Sequence, residues 1–262
     1  MDMTSFIVLP DEQPLDRIPA DGGFCGIFRH IACIGDSLSS GEFESNDGVN
    51  PTGYHDMYDY SWGQYLARMA GCQVYNFSCG GMNTQWYWNT WAEEHGCWDT
   101  DKLCEAYIIA LGVNDRNISL TPGTLDDICD EDYNKNADTF IGYYARIIQR
   151  IKSMQPRARF FLMTMPANES YDEQDPYVDA IRAMAEYFDN AYLLDLHRYG
   201  PLQNADYRRR FYLGGHLNAA GYILTAKMTA AYIDYIIRKN PEEFAQVSYI
   251  GTDLFHVSAS KY

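Results

Sequence analysis

The sequence lacks any apolar run approaching the roughly 18 to 20 residues that a membrane-spanning helix needs, and its start, MDMTSFIVLPDEQP, is acidic with a five-residue apolar run. Neither a signal peptide nor a membrane segment is read from it. Basic residues are scarce: 20 Lys and Arg stand against 36 Asp and Glu, a formal charge of -16. Such a surface repels polyphosphate, which argues against nucleic acid or an anionic membrane as the main partner. No CxxC pair, HExxH, GxGxxG or GxxxxGK[ST] occurs. Structural zinc, dithiol exchange and nucleotide cofactors are therefore without support, and no metal or other cofactor is expected. The seven cysteines are odd in number, in a chain too large to need disulfide staples, so reduced thiols in a cytoplasm are expected.

Among what is present, short apolar runs alternate with longer amphipathic ones. His30 to Ile34, Gln73 to Phe77, Ala106 to Leu111, Arg159 to Met165 and Ala191 to Leu196 read as buried parallel strands. Helical patterns cover Ser61 to Ala70, Thr84 to Glu94, Tyr133 to Met154, Pro176 to Asp189 and Asn218 to Arg238. Alternating strand and helix predicts a doubly wound, three-layer α/β/α sandwich around a five-stranded parallel sheet. No repeat or low-complexity linker divides the chain, so residues 1–262 are read as a single domain. Residues 1–28 and 239–262 are read as arms laid on it, the first long enough to leave a homo-oligomer open. Ligands in such sheets bind outside the carboxyl ends of the strands, so the residues following each strand carry the chemistry.

The first strand runs into Gly35-Asp36-Ser37-Leu38-Ser39-Ser40-Gly41, putting a serine on a tight turn where a nucleophile belongs, although a serine there also suits a helix cap. The second leads into Cys79-Gly80-Gly81-Met82-Asn83-Thr84, where a glycine lets a backbone N–H approach a substrate oxygen. After the third comes Gly112-Val113-Asn114-Asp115, with a side-chain amide donor at the same edge. Near the end, Gly214-Gly215-His216-Leu217-Asn218 sets a histidine on a glycine-made loop before the last helix, where a neutral imidazole can take a proton from Ser37.

These blocks in this order resemble the SGNH or GDSL hydrolases, over about Ile31 to Tyr222. The resemblance implies a flavodoxin-like fold of strand order 2-1-3-4-5 and an esterase activity. Ser37 would be the nucleophile and His216 the base. The oxyanion hole would be formed by Ser37, Gly81 and Asn114. The nucleophile stands near the start of the chain in Gly35-Asp36-Ser37-Leu38-Ser39, which also separates the sequence from α/β-hydrolases with their mid-chain GxSxG.

The sequence departs from that pattern at one place. Three residues before His216, where the family has its triad aspartate, stands Leu213. That carboxylate normally holds the imidazole tautomer and stabilises the imidazolium. Two substitutes are read from the sequence: a backbone carbonyl in the Phe211 to Gly215 loop, giving a Ser–His dyad, or Asp195 at the end of the fifth strand. Asp206 is closer in sequence, but Asp206-Tyr207-Arg208-Arg209-Arg210 reads as a solvated helix face. Trp86 and Trp88 follow the oxyanion glycine and are candidates to wall the substrate pocket, with core packing as the competing reading. His55, Asp56 and Asp59 are better explained as a Tyr-rich polar loop than as a metal site. The expected function is hydrolysis of a carboxylic ester through an acyl-enzyme on Ser37. A short acyl group such as acetyl, on a saccharide or another polar alcohol, is the expected substrate. The rival is a catalytically silent binding protein that has lost its triad.

Overall fold

The computed structural model describes residues 7–169 and 174–257, so the first six residues of the N-terminal arm and the last five of the C-terminal arm lie outside the described residues. Among the described residues nine strands occur in chain order: β1 His30–Gly35, β2 Glu42–Ser45, β3 Gly53–Asp56, β4 Gln73–Ser78, β5 Ala106–Ala110, β6 Arg159–Met163, β7 Ala191–Leu194, β8 Tyr212–Leu213 and β9 His216–Leu217. Five of them form the central sheet in the order β4-β1-β5-β6-β7, every pair parallel. Numbered among themselves these are strands 2-1-3-4-5, the order implied by the resemblance.

The inner sheet strands β1, β5 and β6 are largely apolar because both of their faces are covered, whereas the edge strand β4 carries Gln73, Asn76 and Ser78. Ala32 and Ile34 of β1 point into one core with Phe77, Ile109, Leu162 and the helices Phe140–Met154 and Pro176–Tyr187. Ile31 and Cys33 point into the other, with Phe161, Trp62, Leu66 and the long helix Ala219–Lys239. The two-residue period of the strand thus feeds two helical layers.

Three local departures from the sequence reading matter. The helix expected from Tyr133 begins at Phe140, because Thr139 caps it through its hydroxyl on Gly142 N, and Tyr133–Lys135 is a separate single turn capped by Asp132. The segment from Thr84 to Glu94 is helical but widens into a π turn over Tyr87–Trp91. Lastly, residues 42–56 form an antiparallel ribbon, β2 against β3, with Glu42 opposite Asp56 and Glu44 opposite Tyr54. Nothing in the apolar pattern announces it.

Candidate active site

At the carboxyl end of β1 the chain turns into the short helix Ser37–Ser40. Asp36 caps it by accepting a hydrogen bond from Leu38 N, and Gly41 closes it with a left-handed backbone. Ser37 is therefore the first helical residue, half-buried, and its Oγ makes no hydrogen bond among the described residues. Asp36 itself is buried, and burial pushes its carboxyl up to about 7 despite the Leu38 N–H and the nearby His216, both of which favour the anion.

The loops after β4 and β5 are tied to each other. Asn114 Nδ2 donates to the Met82 carbonyl at 3.0 Å, which leaves its second amide hydrogen for a ligand. Asp115 is fully buried and accepts from both Thr84 N (2.9 Å) and Thr84 Oγ1 (2.6 Å). Its carboxyl is raised by that burial, with the two Thr84 donors pulling the other way. The asparagine and the glycine turn are thus held in fixed relation by three hydrogen bonds.

His216 opens β9. Leu213 and His216 pair across the tight turn made by Gly214 and Gly215. The histidine is largely enclosed, and both ring nitrogens face carboxylates of the ribbon. Nδ1 is 2.8 Å from Glu44 Oε1, and Nε2 is 3.0 Å from Glu42 Oε1. Glu42 and Glu44 share one face of β2 because they are two residues apart. Phe43, between them, points the other way and packs on Tyr222 and Tyr60. Tyr54, across the ribbon from Glu44, presents its ring edge-on to the imidazole at 5.7 Å.

Two glycines make room for these carboxylates. A Cβ on Gly80 would lie 2.3 Å from Glu42 Oε2, and one on Gly214, whose φ is +65°, would lie 1.7 Å from Glu44 Oε2. Glu42 therefore spans the space between His216 and the turn after β4. Burial raises its carboxyl, the facing His216 lowers it, and Asp56 and Glu44 raise it further. Tyr222 OH donates to Glu42 O at 2.7 Å and reaches Ser37 O at 3.4 Å, linking the ribbon to the short helix Ser37–Ser40.

The structure thus gathers Ser37, the Gly80–Gly81 turn, Asn114 and His216 at one edge of the sheet, and it adds Glu42 and Glu44, which sequence reasoning missed. The alternating Glu42-Phe43-Glu44 followed by the turn-rich Asn46-Asp47-Gly48 was the available signal. Asp195 is placed elsewhere: it caps the turn Leu196–Tyr199 through Arg198 N, accepts from Thr164 Oγ1, and is paired with Arg182 Nε at 2.9 Å. Its oxygens are taken by a cation, a hydroxyl and backbone, and His216 is not among its partners. Trp88 is partly buried: it packs edge-on against Trp98 and Tyr133 with the Arg150 guanidinium over its ring, beside the core under the helix Phe140–Met154. Trp86 is exposed. His55 bonds Ser45 Oγ across the ribbon, and among the described residues no group of three or more His, Cys, Asp or Glu is arranged to hold a metal.

A family model described as GDSL-like Lipase/Acylhydrolase family matches residues 33–224. No significant match is found among curated proteins. Among solved structures, a carbohydrate esterase family 2 enzyme with a carbohydrate binding domain from Corynascus thermopiles (Myceliophthora fergusii) is similar at 20% identity and TM-score 0.56, over 86% of this chain and 69% of that one. A possible lipase from Chitinophaga pinensis aligns at 18% identity and TM-score 0.53, over 81% of this chain and 98% of that one. A family two carbohydrate esterase from Clostridium thermocellum, solved with cellohexaose, aligns at 17% identity and TM-score 0.52, over 80% of this chain and 64% of that one. At these identities the structural likeness speaks for the fold.

Proposed function

The chain belongs to the GDSL-like lipase/acylhydrolase family, hydrolases that act on ester bonds, and from that premise we propose that it cleaves carboxylic esters through an acyl-enzyme on Ser37. The observation that carries this reading is the single carboxylate of Glu42 lying between His216 Nε2 and the Cα of Gly80. One carboxylate thus fills the space between His216 and the turn after β4, and its departure opens that space to an ester.

In the reaction Ser37 Oγ attacks the acyl carbon while His216 Nε2, released from Glu42, takes the hydroxyl proton. The carbonyl oxygen becomes an oxyanion held by the N–H groups of Ser37 and Gly81 and by the Asn114 amide, worth roughly 3 to 4 kcal/mol per donor in comparable sites. Collapse expels the alcohol, which takes the proton from His216. Water then repeats the sequence on the acyl-enzyme and frees Ser37.

A short acyl group on a saccharide or another polar alcohol is the substrate we favour. The exposed rings of Trp86, Tyr54, Tyr58 and Tyr60 support it, since sugar faces stack on aromatics. So do the carbohydrate esterases among the structural neighbours. The carboxylates of Glu42, Glu44 and Asp56 make the site hostile to acyl groups that are themselves anionic. All seven cysteines are free thiols, which favours a reducing compartment such as the cytoplasm; among the described residues no helix is long and apolar enough to cross a membrane.

The test is labelling by a fluorophosphonate together with turnover of aryl esters of rising chain length and of an acetylated saccharide. Ser37→Ala is expected to abolish both labelling and turnover, a loss on the order of 10⁶ in kcat, with an unchanged melting curve. A variant keeping more than a few per cent of activity overturns the nucleophile assignment. A silent wild type establishes the rival reading, a binding protein, which the absence of a carboxylate at Leu213 favours.

A further inference from the structure

We propose that Glu44, on the ribbon that follows the nucleophile helix, is the positioning residue for His216 and does the work of the aspartate that Leu213 replaces. The proposal rests on His216 being the base of the proposed esterase. It makes the catalytic set Ser37, Glu44 and His216 in chain order, with the third member on a strand outside the sheet.

Of the two carboxylates on the imidazole, only one can stay through turnover. Nε2 must exchange its proton with Ser37 and then with the leaving alcohol, so Glu42 has to leave it. Nδ1 exchanges nothing, and Glu44 sits there. A carboxylate only accepts hydrogen bonds, so Nδ1 carries the hydrogen, and in the neutral ring that leaves the lone pair on Nε2, the tautomer a base needs. When the ring becomes imidazolium, the adjacent negative charge stabilises it.

Glu44 is also held as an orienting group must be. Its Oε1 accepts from Gly215 N at 2.8 Å as well as from His216, and its side chain is only 15% exposed, so solvent reaches the pair little. The loop around it is built to fit: Gly214 could carry no side chain without striking Oε2. Leu213, by contrast, is half exposed. It stands directly opposite His216 in the β8–β9 pair, which puts their side chains on the same face. The family position has been left to an apolar residue, and the carboxylate is delivered to the same nitrogen from the other side.

The experiment compares Glu44→Gln, Glu42→Gln and Glu44→Gln/Leu213→Asp in the full chain. In Glu44→Gln the new amide oxygen can keep the Gly215 N–H contact, so the loop is expected to hold its shape, checked by an unchanged melting curve. We expect kcat to fall by roughly 10⁴ with KM within a few-fold, the size of effect when a triad carboxylate becomes an amide. Adding Leu213→Asp is expected to return at least 100-fold of that loss; a Glu44 that merely shaped the loop would gain nothing from a carboxylate at 213. Independently of turnover, proton NMR of Ser37→Ala protein is expected to show a far-downfield imidazole N–H resonance that disappears in Ser37→Ala/Glu44→Gln and persists in Ser37→Ala/Glu42→Gln. A Glu44→Gln enzyme within 10-fold of wild type, or a resonance that survives it, overturns the proposal. If Ser37→Ala stays active or the wild type is silent, the esterase reading falls while the resonance still decides whether Glu44 holds the ring.

Discussion

Two sets of acidic side chains lie near the carboxyl edge of the sheet, and they are used in opposite ways. Asp36, Asp115 and Asp195 follow β1, β5 and β7, and all three are almost completely buried. Each is bound into the backbone or to a fixed partner: Asp36 to Leu38 N, Asp115 to Thr84, Asp195 to Arg198 N and Arg182. Glu42 and Glu44 sit on a two-stranded ribbon beyond the sheet, are partly solvated, and meet the imidazole of His216 from both sides. A strand-end aspartate is close to the chemistry by topology, but fixed donors claim it first, the N–H groups of its own turn for Asp36 and Asp195 and Thr84 of the neighbouring loop for Asp115. A glutamate on a ribbon has its backbone satisfied by the neighbouring strand, so its longer side chain remains available for the site.

The largest effect that would sharpen this contrast is at Asp36. Its carboxyl titrates at about 7 in the fold, against 3.8 for the ordinary group, because burial disfavours the anion. Between these values the folded protein holds a proton that the unfolded chain gives up, so unfolding becomes easier as pH rises through this window. The stability contributed by neutral Asp36 is complete below about pH 4 and lost by about pH 7, on the order of 4 kcal/mol. Asp36→Asn keeps an oxygen for Leu38 N and removes the titration. Denaturation from pH 4 to 8 is expected to show the variant gaining on the wild type by that amount; a constant difference would mean the buried carboxyl pays no penalty for its charge.

Next in size is Asp195. With Arg182 partly solvated and also paired with Asp179, Asp195→Asn is expected to lose about 2 kcal/mol, less than the roughly 3 to 5 typical of breaking a fully buried pair. Its kcat is expected to stay within about two- to three-fold. A normal melting temperature with a loss of about 10⁴ in kcat would reverse the comparison and return the orienting role to the fifth sheet strand.

Much of the architecture is legible in the residues. The five sheet strands fall within two residues of the runs that announce them; the inner three are nearly all apolar because both of their faces are covered, and the edge strand β4 still alternates Val74 and Phe77 with polar residues. Ser37, Asn114 and His216 are legible for a related reason: each stands where a strand or a glycine turn ends, and the sheet edge brings them together. The ribbon is not. Glu42-Phe43-Glu44 contains a single apolar residue, so it offers no hydrophobic period, and the contact that matters joins positions 172 apart in sequence. Trp88 is ambiguous in the sequence because an aromatic residue after an oxyanion loop packs a core as readily as it lines a pocket, and only the positions of Trp98, Tyr133 and Arg150 decide between them. Asp195 misleads because the sequence shows its strand end but not the arginine waiting thirteen residues before it.

The smallest expected effect separates the two ribbon carboxylates from each other. Glu42 and Glu44 are two residues apart, touch the same ring at nearly the same distance and are about equally exposed. They differ in which nitrogen they hold. In the proposed reaction Glu42 competes with Ser37 for Nε2, and its other oxygen lies against Gly80, on the side from which the substrate carbonyl would enter. Each turnover of that reaction would displace it. A partly solvated ion pair of this kind is worth roughly 0.2 to 1 kcal/mol, so replacing the charge in Glu42→Gln is expected to raise kcat/KM by about two- to five-fold. The gain should come mainly through a lower KM, since the contact exists before substrate binds and not in the transition state. The rate of fluorophosphonate labelling at Ser37 is expected to rise by the same factor, because the probe needs the same vacated space. A fall of about 100-fold or more in kcat would show instead that Glu42 assists the imidazole during the reaction, and the two carboxylates would then have to be treated as one unit acting on both faces of the base.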